Sequence, residues 1–218
     1  MRNLGLIGGL GPGATIHYYR ELAKVNAGEM LIVHADMAFV LEQARLGDRE
    51  TLARYFARLI ARMARGGAEV AAVSAITAHI CIRELEKISP LPLVNIIDEI
   101  AKEIRSRGYK RVALFGTRYV VESRMFGMLD GIEVHVPEEA GEIHDAYLQI
   151  AGGGDASSAR EVLLRIASEL PVDAIVLAGT DLVLVFDETN TPFPHVDGAK
   201  VHIGGIVRQL SSTNATAR

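Results

Sequence analysis

The chain has 218 residues, of which 49% are hydrophobic and 23% charged, and this is typical of one large α/β domain or two small lobes. Its net charge of −4 and isoelectric point near 6.0 argue against nucleic acid or an anionic membrane surface as a partner. The single cysteine, Cys81, excludes a disulfide within the chain and favours a reducing cytosol, so we expect a cytoplasmic protein.

The first predicted element is an apolar strand, Asn3 to Ile7, and Met1 runs into it without a signal-peptide pattern. No apolar run has membrane-spanning length, so no membrane segment is expected. The strand enters the glycine-rich turn Gly8 to Gly13, and a helix follows from about Ala14 to Asn26 with Thr15 in its first turn. This order allows anion binding by backbone N–H groups of the turn, Gly9 among them, although the glycines equally fit a tight turn with positive φ. The glycine spacing excludes the dinucleotide-binding fingerprint.

The next elements place polar side chains at the ends of strands. A strand from Met30 to Val33 is followed by His34 and Asp36, then by a short helical turn, Phe39 to Ala44. The segment Arg49 to Gly66 has the periodicity of an amphipathic helix. Asp36 therefore lies at the sheet edge where ligands bind in open parallel sheets.

The apolar run Val70 to Val73 has the pattern of a strand buried on both faces. It leads into residues 74–79, here called the first key turn, which contains Thr77 and His79. A helix is predicted from Cys81 to Ile88 and a strand from Leu93 to Ile97. Asp98 follows that strand and starts a helix that runs from Glu99 to Arg107.

The second half of the chain repeats this order. Strands are predicted at Arg111–Phe115, Ile132–Val136, Ala174–Ala178 and Phe193–Asp197, and helices at Glu122–Leu129, Gly141–Ala151, Ala156–Leu170 and Val201–Leu210. The second key turn, residues 178–182, contains Gly179, Thr180 and Asp181. An internal duplication of βα units predicts two similar α/β lobes with parallel sheets, related by a pseudo-twofold axis, with a ligand cleft between them. We expect one lobe to comprise residues 1–97 with the C-terminal helix 201–212, and the other to comprise residues 98–200.

Several short motifs occur along the chain: GLIGGLGP with Thr15 and Tyr18-Tyr19, TAH at Thr77 to His79, ALFGTRY at Ala113 to Tyr119, LAGTDL at Leu177 to Leu182, and HVD with His202. Through these motifs the sequence resembles the aspartate/glutamate racemase family over nearly its full length. The resemblance implies a small amino or carboxylic acid bound between the lobes, no cofactor, no metal, and a homodimer. It also implies a two-base mechanism in which one cysteine at the end of each key strand transfers the α-proton on one face of the substrate.

The chain departs from that pattern where the chemistry would occur. The two family cysteines correspond to Ala75 and Gly179, and the neighbouring family asparagine corresponds to Ile76. Alanine and glycine cannot abstract a proton, so the two-cysteine mechanism is not expected. The replacement of thiols and an amide by Ala75, Ile76 and Gly179 predicts a roomier and more apolar cleft, and with it a ligand that is bulkier or less rich in carboxylates than aspartate.

Three residues remain as candidates for proton transfer, each with an alternative structural role. Cys81 could be a thiolate favoured by a helix N-terminus, or an ordinary buried thiol. His79 could be an acid/base or a helix-start residue, and Asp181 a base or an N-cap. The expected substrate-binding residues are Gly9, Thr15, Asp36, Ala75, Thr77, Thr117, Gly179 and Thr180, and no spacing of histidines and carboxylates predicts a metal.

Asp98, Asp197, His34 and His195 are also expected at the strand ends, which predicts a polar cleft. The sequence therefore favours a cofactor-independent isomerase of the amino-acid racemase type, acting on a small carboxylic acid with altered or lost two-cysteine chemistry. A non-catalytic small-molecule binding protein and a one-cysteine lyase or isomerase that uses Cys81 are the alternatives.

Overall fold

The computed structural model describes residues 1–9, 11–25 and 28–212, and within these ranges eight strands form two parallel four-stranded sheets. The strands are β1 (Leu4–Gly8), β2 (Met30–His34), β3 (Val70–Val73), β4 (Leu93–Val94), β5 (Arg111–Phe115), β6 (Glu133–His135), β7 (Ala174–Leu177) and β8 (His195–Asp197). Their order is β2-β1-β3-β4 in the first sheet and β6-β5-β7-β8 in the second.

The two sheets have the same topology and a corresponding register. Leu4 pairs with Met30 on one side and Val70 on the other, and Val112 pairs in the same way with Val134 and Ala174. The central strands β1, β3 and β7 are buried along their whole length, as their apolar sequences require. The prediction of two similar α/β lobes with parallel sheets is confirmed.

Helices connect the strands and cover the sheets. They are α1 (Pro12–Lys24), α2 (Met37–Leu46), α3 (Arg49–Arg65), α4 (Ile82–Ile88), α5 (Ile96–Ser106), α6 (Arg118–Glu122), α7 (Ala140–Ala151), α8 (Ala156–Glu169) and α9 (Gly198–Ser211). Short 3₁₀ turns occupy Thr77–Cys81, Met125–Gly127 and Thr180–Leu184. The predicted end of the first helix, Asn26, lies outside the described residues.

Helix α5 follows the first sheet in sequence but packs on the second, and helix α9 follows the second sheet but packs on the first. On α5, Ile96, Ile100 and Ile104 belong to the same buried cluster as Val112 and the rest of the second sheet. On α9, Ile203, Ile206 and Leu210 belong to a cluster with Leu4, Leu6 and Val70 of the first sheet. The two helices also contact each other, so they join the lobes. The exact lobe boundary between residues 97 and 98 stays a prediction.

Two helix boundaries differ from the sequence prediction, and side-chain hydrogen bonds explain both. The side chain of Asn95 caps α5 by accepting from the N–H of Ile97 at 3.0 Å, so the helix starts before Asp98. The predicted helix Glu122–Leu129 is wrong, because α6 ends at Glu122 and Arg124, Met125 and Phe126 have φ values of 53°, 55° and 59°. There the Ser123 hydroxyl accepts from the N–H of Phe126 at 3.0 Å and replaces a helical hydrogen bond.

No helix in the described ranges combines the length and the apolar character that a bilayer crossing requires.

Because Arg124, Met125 and Phe126 have left-handed backbone conformations, we predict that a glycine substitution at one of these positions stabilises the fold. In Arg124→Gly, the left-handed φ of an exposed position no longer carries the Cβ penalty, and we expect the free energy of unfolding to rise by about 1 kcal/mol. Urea unfolding measures this change. In the matched control Arg62→Gly, the residue lies in the right-handed interior of α3, and a loss of about 1 kcal/mol is expected. Equal destabilisation by both substitutions would contradict the prediction.

Candidate functional site

The two key turns meet between the lobes, and hydrogen bonds join them. Thr180 of the second lobe donates its hydroxyl to the carbonyl of Ser74 in the first lobe at 2.8 Å. The hydroxyls of Thr77 and Thr117, one from each lobe, lie 3.1 Å apart in a second hydrogen bond. All three threonines are only 3% exposed. The structure therefore places Thr77, Thr117 and Thr180 together in one interlobe site.

Local backbone geometry positions the first key turn. The strand β3 ends at Val73, and Ser74 then donates both its N–H (3.0 Å) and its hydroxyl (3.1 Å) to the carbonyl of Ile7. These bonds hold the start of the turn against β1, and the chain continues into the 3₁₀ turn Thr77–Cys81. Thr77 follows immediately at the carboxyl edge of the sheet, where the sequence predicted it.

Asp181 is the charged side chain of the site, and it connects the lobes. The residue is fully buried, its Oδ1 accepts from the N–H of Ala14 at 2.8 Å, and its Oδ2 accepts from the hydroxyl of Tyr147 at 3.1 Å. Ala14 lies in the first turn of α1, where free N–H groups and the helix dipole favour an anion. Burial nevertheless raises the pKa of the carboxyl above its usual value, against the lowering effect of these two donors.

The helix N-terminus that follows the glycine-rich turn binds a carboxyl group, and this group is the Asp181 side chain of the same protein. A Cβ on Gly11 would lie 2.4 Å from Oδ1 of Asp181, and one on Gly9 would lie 2.7 Å from the Cβ of Ala75. None of the described turn glycines (Gly8, Gly9, Gly11 and Gly13) has a positive φ. Gly11 and Gly13 are therefore needed for the close approach of α1 to Asp181 and Leu184 of the second lobe, while Gly9 allows Ala75 of the first lobe to pack against the turn. The hydroxyl of Thr15 completes the turn by accepting from the N–H of Gly9 at 3.3 Å.

Two positions that the family resemblance matches to cysteines, Ala75 and Gly179, are each packed against a residue of their own lobe. Ala75 is 3% exposed and packs against Gly9. A Cβ on Gly179 would lie 2.2 Å from Cε2 of Tyr147, so the tyrosine ring occupies that volume. The prediction of a roomier cleft at these positions is wrong, because an aromatic residue from α7 fills the space beside Gly179.

Cys81 lies away from the interlobe contact, in the core of the first lobe. The residue is fully buried in a cluster with Phe56, Ile60 and Leu85, and its Sγ contacts the carbonyl of Ala78 at 3.4 Å. Burial, with a smaller effect of Glu84, raises the pKa of the thiol to about 12. At neutral pH the group is a thiol, and the structure favours the alternative of an ordinary buried cysteine.

His79 belongs to a buried pair of histidines beside the site. Its Nδ1 lies 2.9 Å from the carbonyl of Ala75 and must therefore carry the proton, while its Nε2 has no hydrogen-bond partner in the described part of the chain. The ring lies edge-on to that of His202, with centroids 6.2 Å apart. His202 bonds through Nε2 to the carbonyl of Val94 and through Nδ1 to the hydroxyl of Tyr18, both at 2.9 Å. Burial lowers the pKa of His79 to about 4, and burial with the proximity of His79 lowers that of His202 to about 3.

The remaining strand-end residues have structural contacts at or near the surface. Asp36 is exposed and caps α2 by accepting from the N–H of Phe39 at 3.2 Å, while Asp197 caps α9 by accepting from the N–H of Lys200 at 3.0 Å. Asp98 and His34 are exposed. Asp36 is thus not among the residues that the two key turns bring together.

Tyr147 is the functional candidate that the sequence did not identify. It lies on the buried face of α7, which it shares with Ile143, Ala146 and Ile150. The spacing marks it as a core residue, and a buried tyrosine usually has a partner for its hydroxyl. That partner, Asp181, is 34 residues away, so no local pattern reveals the pair.

No group of three or more His, Cys, Asp or Glu side chains in residues 1–9, 11–25 and 28–212 is arranged to hold a metal ion.

Comparison with known proteins gives consistent results. A model of the family described as Asp/Glu/Hydantoin racemase matches residues 7–205. The broad specificity amino-acid racemase RacX of Bacillus subtilis (strain 168) is 23% identical over 214 residues, covering 90% of this chain and 92% of that protein. A Yersinia pestis protein assigned as an Asp/Glu racemase has a similar structure, with a TM-score of 0.81, 25% identity, and coverage of 97% of this chain and 100% of the other. An aspartate racemase homologue from Pyrococcus horikoshii OT3 has a TM-score of 0.78, 23% identity and the same coverage.

The buried histidine pair predicts loss of stability in mild acid. Unfolding exposes His79 and His202, which then bind protons near pH 6.5, while their pKa values in the folded state are about 4 and about 3. Below pH 6.5 the unfolded state therefore binds more protons, and we expect the melting temperature to fall by roughly 5 °C or more between pH 7 and pH 5. The raised carboxyl pKa values of Asp181 and Asp197 act in the opposite direction, so a variant must isolate the histidine effect.

His79→Gln is that variant, and its melting temperature should depend less on pH than that of the unmodified protein. His17→Gln, at a partly exposed position on α1, serves as the control and should keep the full dependence. A His79→Gln variant whose melting temperature depends on pH as strongly as that of the unmodified protein would refute this account of the pair.

Proposed function

The chain belongs to the Asp/Glu/Hydantoin racemase family, and on that basis we propose that it is an isomerase-type enzyme that transfers a proton at the α-carbon of a small amino or carboxylic acid in the interlobe site. In this proposal the Asp181 carboxylate acts on one face of the substrate and takes the place of a pair of thiols. The observation that carries it is the burial of a lone carboxylate, with a raised pKa, two residues beyond the second family cysteine position.

Two-thiol chemistry is incompatible with the residues present. The family positions hold Ala75 and Gly179, which have no group that ionises. The single cysteine of the chain, Cys81, is fully buried with a pKa near 12, so it supplies no thiolate at neutral pH. The one-cysteine alternative for this protein is accordingly not part of the proposal.

Asp181 has the properties of a positioned general base. Each of its oxygens accepts one hydrogen bond, from Ala14 and from Tyr147, which fixes the orientation of the carboxylate. Burial raises the pKa of the carboxyl, and a higher pKa makes the carboxylate a stronger base at neutral pH. In the proposed step, the α-proton moves to Asp181, and the electron pair left on carbon delocalises into the substrate carboxylate.

The three threonines are the proposed ligands of that carboxylate. In the structure the hydroxyls of Thr77 and Thr117 bond to each other, and the hydroxyl of Thr180 bonds to the carbonyl of Ser74. A bound carboxylate would accept from these hydroxyls in place of the interlobe bonds. Because all three residues are 3% exposed, we propose that the lobes separate to admit the substrate and close over it.

A second candidate is a binding protein without catalysis. It is favoured by the same interlobe bonds, which satisfy both oxygens of Asp181 and all three threonine hydroxyls without a substrate. The two candidates share the site and differ only in whether Asp181 exchanges a proton with the ligand.

We also propose that the protein is a cytoplasmic homodimer and needs neither cofactor nor metal. The location is supported by the single, buried cysteine, since such a chain has no need of an oxidising compartment. The homodimer and the absence of a cofactor are supported by the family resemblance of the sequence.

Exchange of the α-proton with solvent deuterium tests the proposed function. A panel of D- and L-amino acids, including aspartate and glutamate, is incubated in D₂O, and both deuterium content and configuration are measured. An isomerase predicts deuterium incorporation together with inversion of configuration, because Asp181 removes the α-proton on one face and deuterium from solvent is added to the planar carbanion on the other. In Asp181→Asn the base is lost, and we expect exchange to fall by about 100-fold or more, whereas Cys81→Ala should stay within about twofold of the unmodified protein.

Other outcomes separate the alternatives. Loss of exchange in Cys81→Ala, with its fold intact by circular dichroism, would contradict the one-carboxylate mechanism. Exchange with complete retention of configuration would contradict an isomerase. Absence of exchange with every amino acid, together with a ligand-dependent rise in melting temperature, would identify the binding protein.

A further inference from the structure

We infer that Tyr147 is the residue that determines specificity at this site, because its ring occupies the volume of the second thiol position while its hydroxyl holds Asp181. The steric part of this inference depends only on the geometry of Tyr147 and Gly179. The catalytic part of the inference rests on the proposed function of Asp181.

The steric evidence is the distance between Gly179 and the ring. An ideal Cβ on residue 179 would lie 2.2 Å from Cε2, 2.5 Å from Cδ2 and 2.9 Å from Cζ of Tyr147. These contacts involve three ring carbons of a side chain that is 3% exposed and packed in the core of the second lobe. The ring therefore has little freedom to move aside, and any side chain at residue 179 is excluded.

The backbone does not require glycine at this position. Gly179 has φ −105° and ψ 113°, an extended conformation that any residue adopts. Glycine is needed here because Tyr147 is present. The two residues are thus a matched pair, in which an aromatic ring on α7 substitutes for a side chain at the end of β7.

The hydroxyl of the same residue gives the ring a role in the chemistry. It donates to Oδ2 of Asp181 at 3.1 Å, while Oδ1 is held by the N–H of Ala14. The bond joins α7 to the second key turn and stabilises the charged form of the carboxylate. Tyr147 is therefore a positioning residue for Asp181.

The consequence for the substrate is a smaller space on the face of the second lobe. A racemase that carries a thiol at the second position must keep room there for both the thiol and the α-carbon. Here an aromatic ring covers that face, so we infer that the site prefers amino acids with small side chains, and that bulkier substrates need a smaller residue at position 147.

Melting temperatures of a double-mutant cycle test the matched pair without any assay of activity. In the unmodified background, Gly179→Ala overpacks the ring and should lower the melting temperature by about 5 °C or more. In a Tyr147→Ala background the same change should cost less than about 2 °C, because the space is free. Gly204→Ala, where the nearest atom is the end of the flexible Arg208 side chain at 3.4 Å, is the control and should not lower the melting temperature.

If Tyr147→Ala does not fold, Tyr147→Leu replaces it, since leucine retains core volume but lacks the distal ring atoms. An equal loss of melting temperature from Gly179→Ala in both backgrounds would overturn the matched pair. So would a neutral effect of Gly179→Ala beside an intact Tyr147.

Deuterium exchange tests the role in specificity and positioning. Tyr147→Phe keeps the ring and removes the donor to Asp181, so the acid limb of the exchange rate against pH should move to higher pH. The melting temperature should fall by about 3 °C or more, because one buried carboxylate oxygen loses its donor. Tyr147→Ala should raise the rate for bulky amino acids relative to alanine by about tenfold. An unchanged pH profile in Tyr147→Phe or unchanged relative rates in Tyr147→Ala would overturn these roles.

The two proposals fail in different ways. If the unmodified protein exchanges no amino acid, the proposed catalytic function fails, while the double-mutant cycle still decides the matched pair. In that case ligand-dependent melting temperatures of Tyr147→Ala, with the same amino acids, decide whether the ring selects ligands by size.

Discussion

The burial of one carboxylate between two lobes is the constraint on which this architecture depends. An ionised carboxyl inside a protein costs several kcal/mol unless donors surround it, and Asp181 has two, from the first turn of α1 and from Tyr147. Each donor requires something of its neighbours. The helix N-terminus approaches only because Gly11 has no Cβ, and the tyrosine ring approaches only because Gly179 has none. The contact between the lobes is built around this charge.

The internal duplication explains why the two lobes have the same fold. The side chains of the two key turns differ, and this difference defines the site. Both lobes present a key turn at the same sheet edge, yet the first turn holds the neutral Ala75, Ile76 and Thr77, while the second holds Gly179, Thr180 and Asp181. The first key turn has no carboxyl or thiol side chain, its ionisable group being the imidazole of His79, while the carboxyl of Asp181 belongs to the second turn. The two lobes are related by the pseudo-twofold axis in their backbones, but the ionisable side chains of the two key turns do not follow it.

Much of the fold could be predicted from the sequence, because apolar runs such as Val70 to Val73 and Ala174 to Leu177 can be buried only as strands of a covered parallel sheet. The approach of Thr77 and Thr180 to each other followed from the duplication, whereas Thr117 was expected there from the family resemblance. The burial of Cys81 and the position of Tyr147 could not be predicted in the same way, since both depend on packing between segments far apart in sequence. The prediction of a roomier cleft was wrong for that reason. Small residues at positions 75 and 179 do not reveal that the ring of Tyr147 on α7 fills the space beside Gly179.

The crossing of α5 and α9 has a consequence for the order in which the protein is made. Leu4, Leu6 and Val70 pack in one buried layer with Tyr18 and Leu22 of α1 and with Ile203, Ile206 and Leu210 of α9. During translation the earliest strands therefore leave the ribosome nearly two hundred residues before the helix that shields them. Until α9 has been made, part of the apolar face of the first sheet lacks its cover, so the folding of the first half is completed only with a helix from the second.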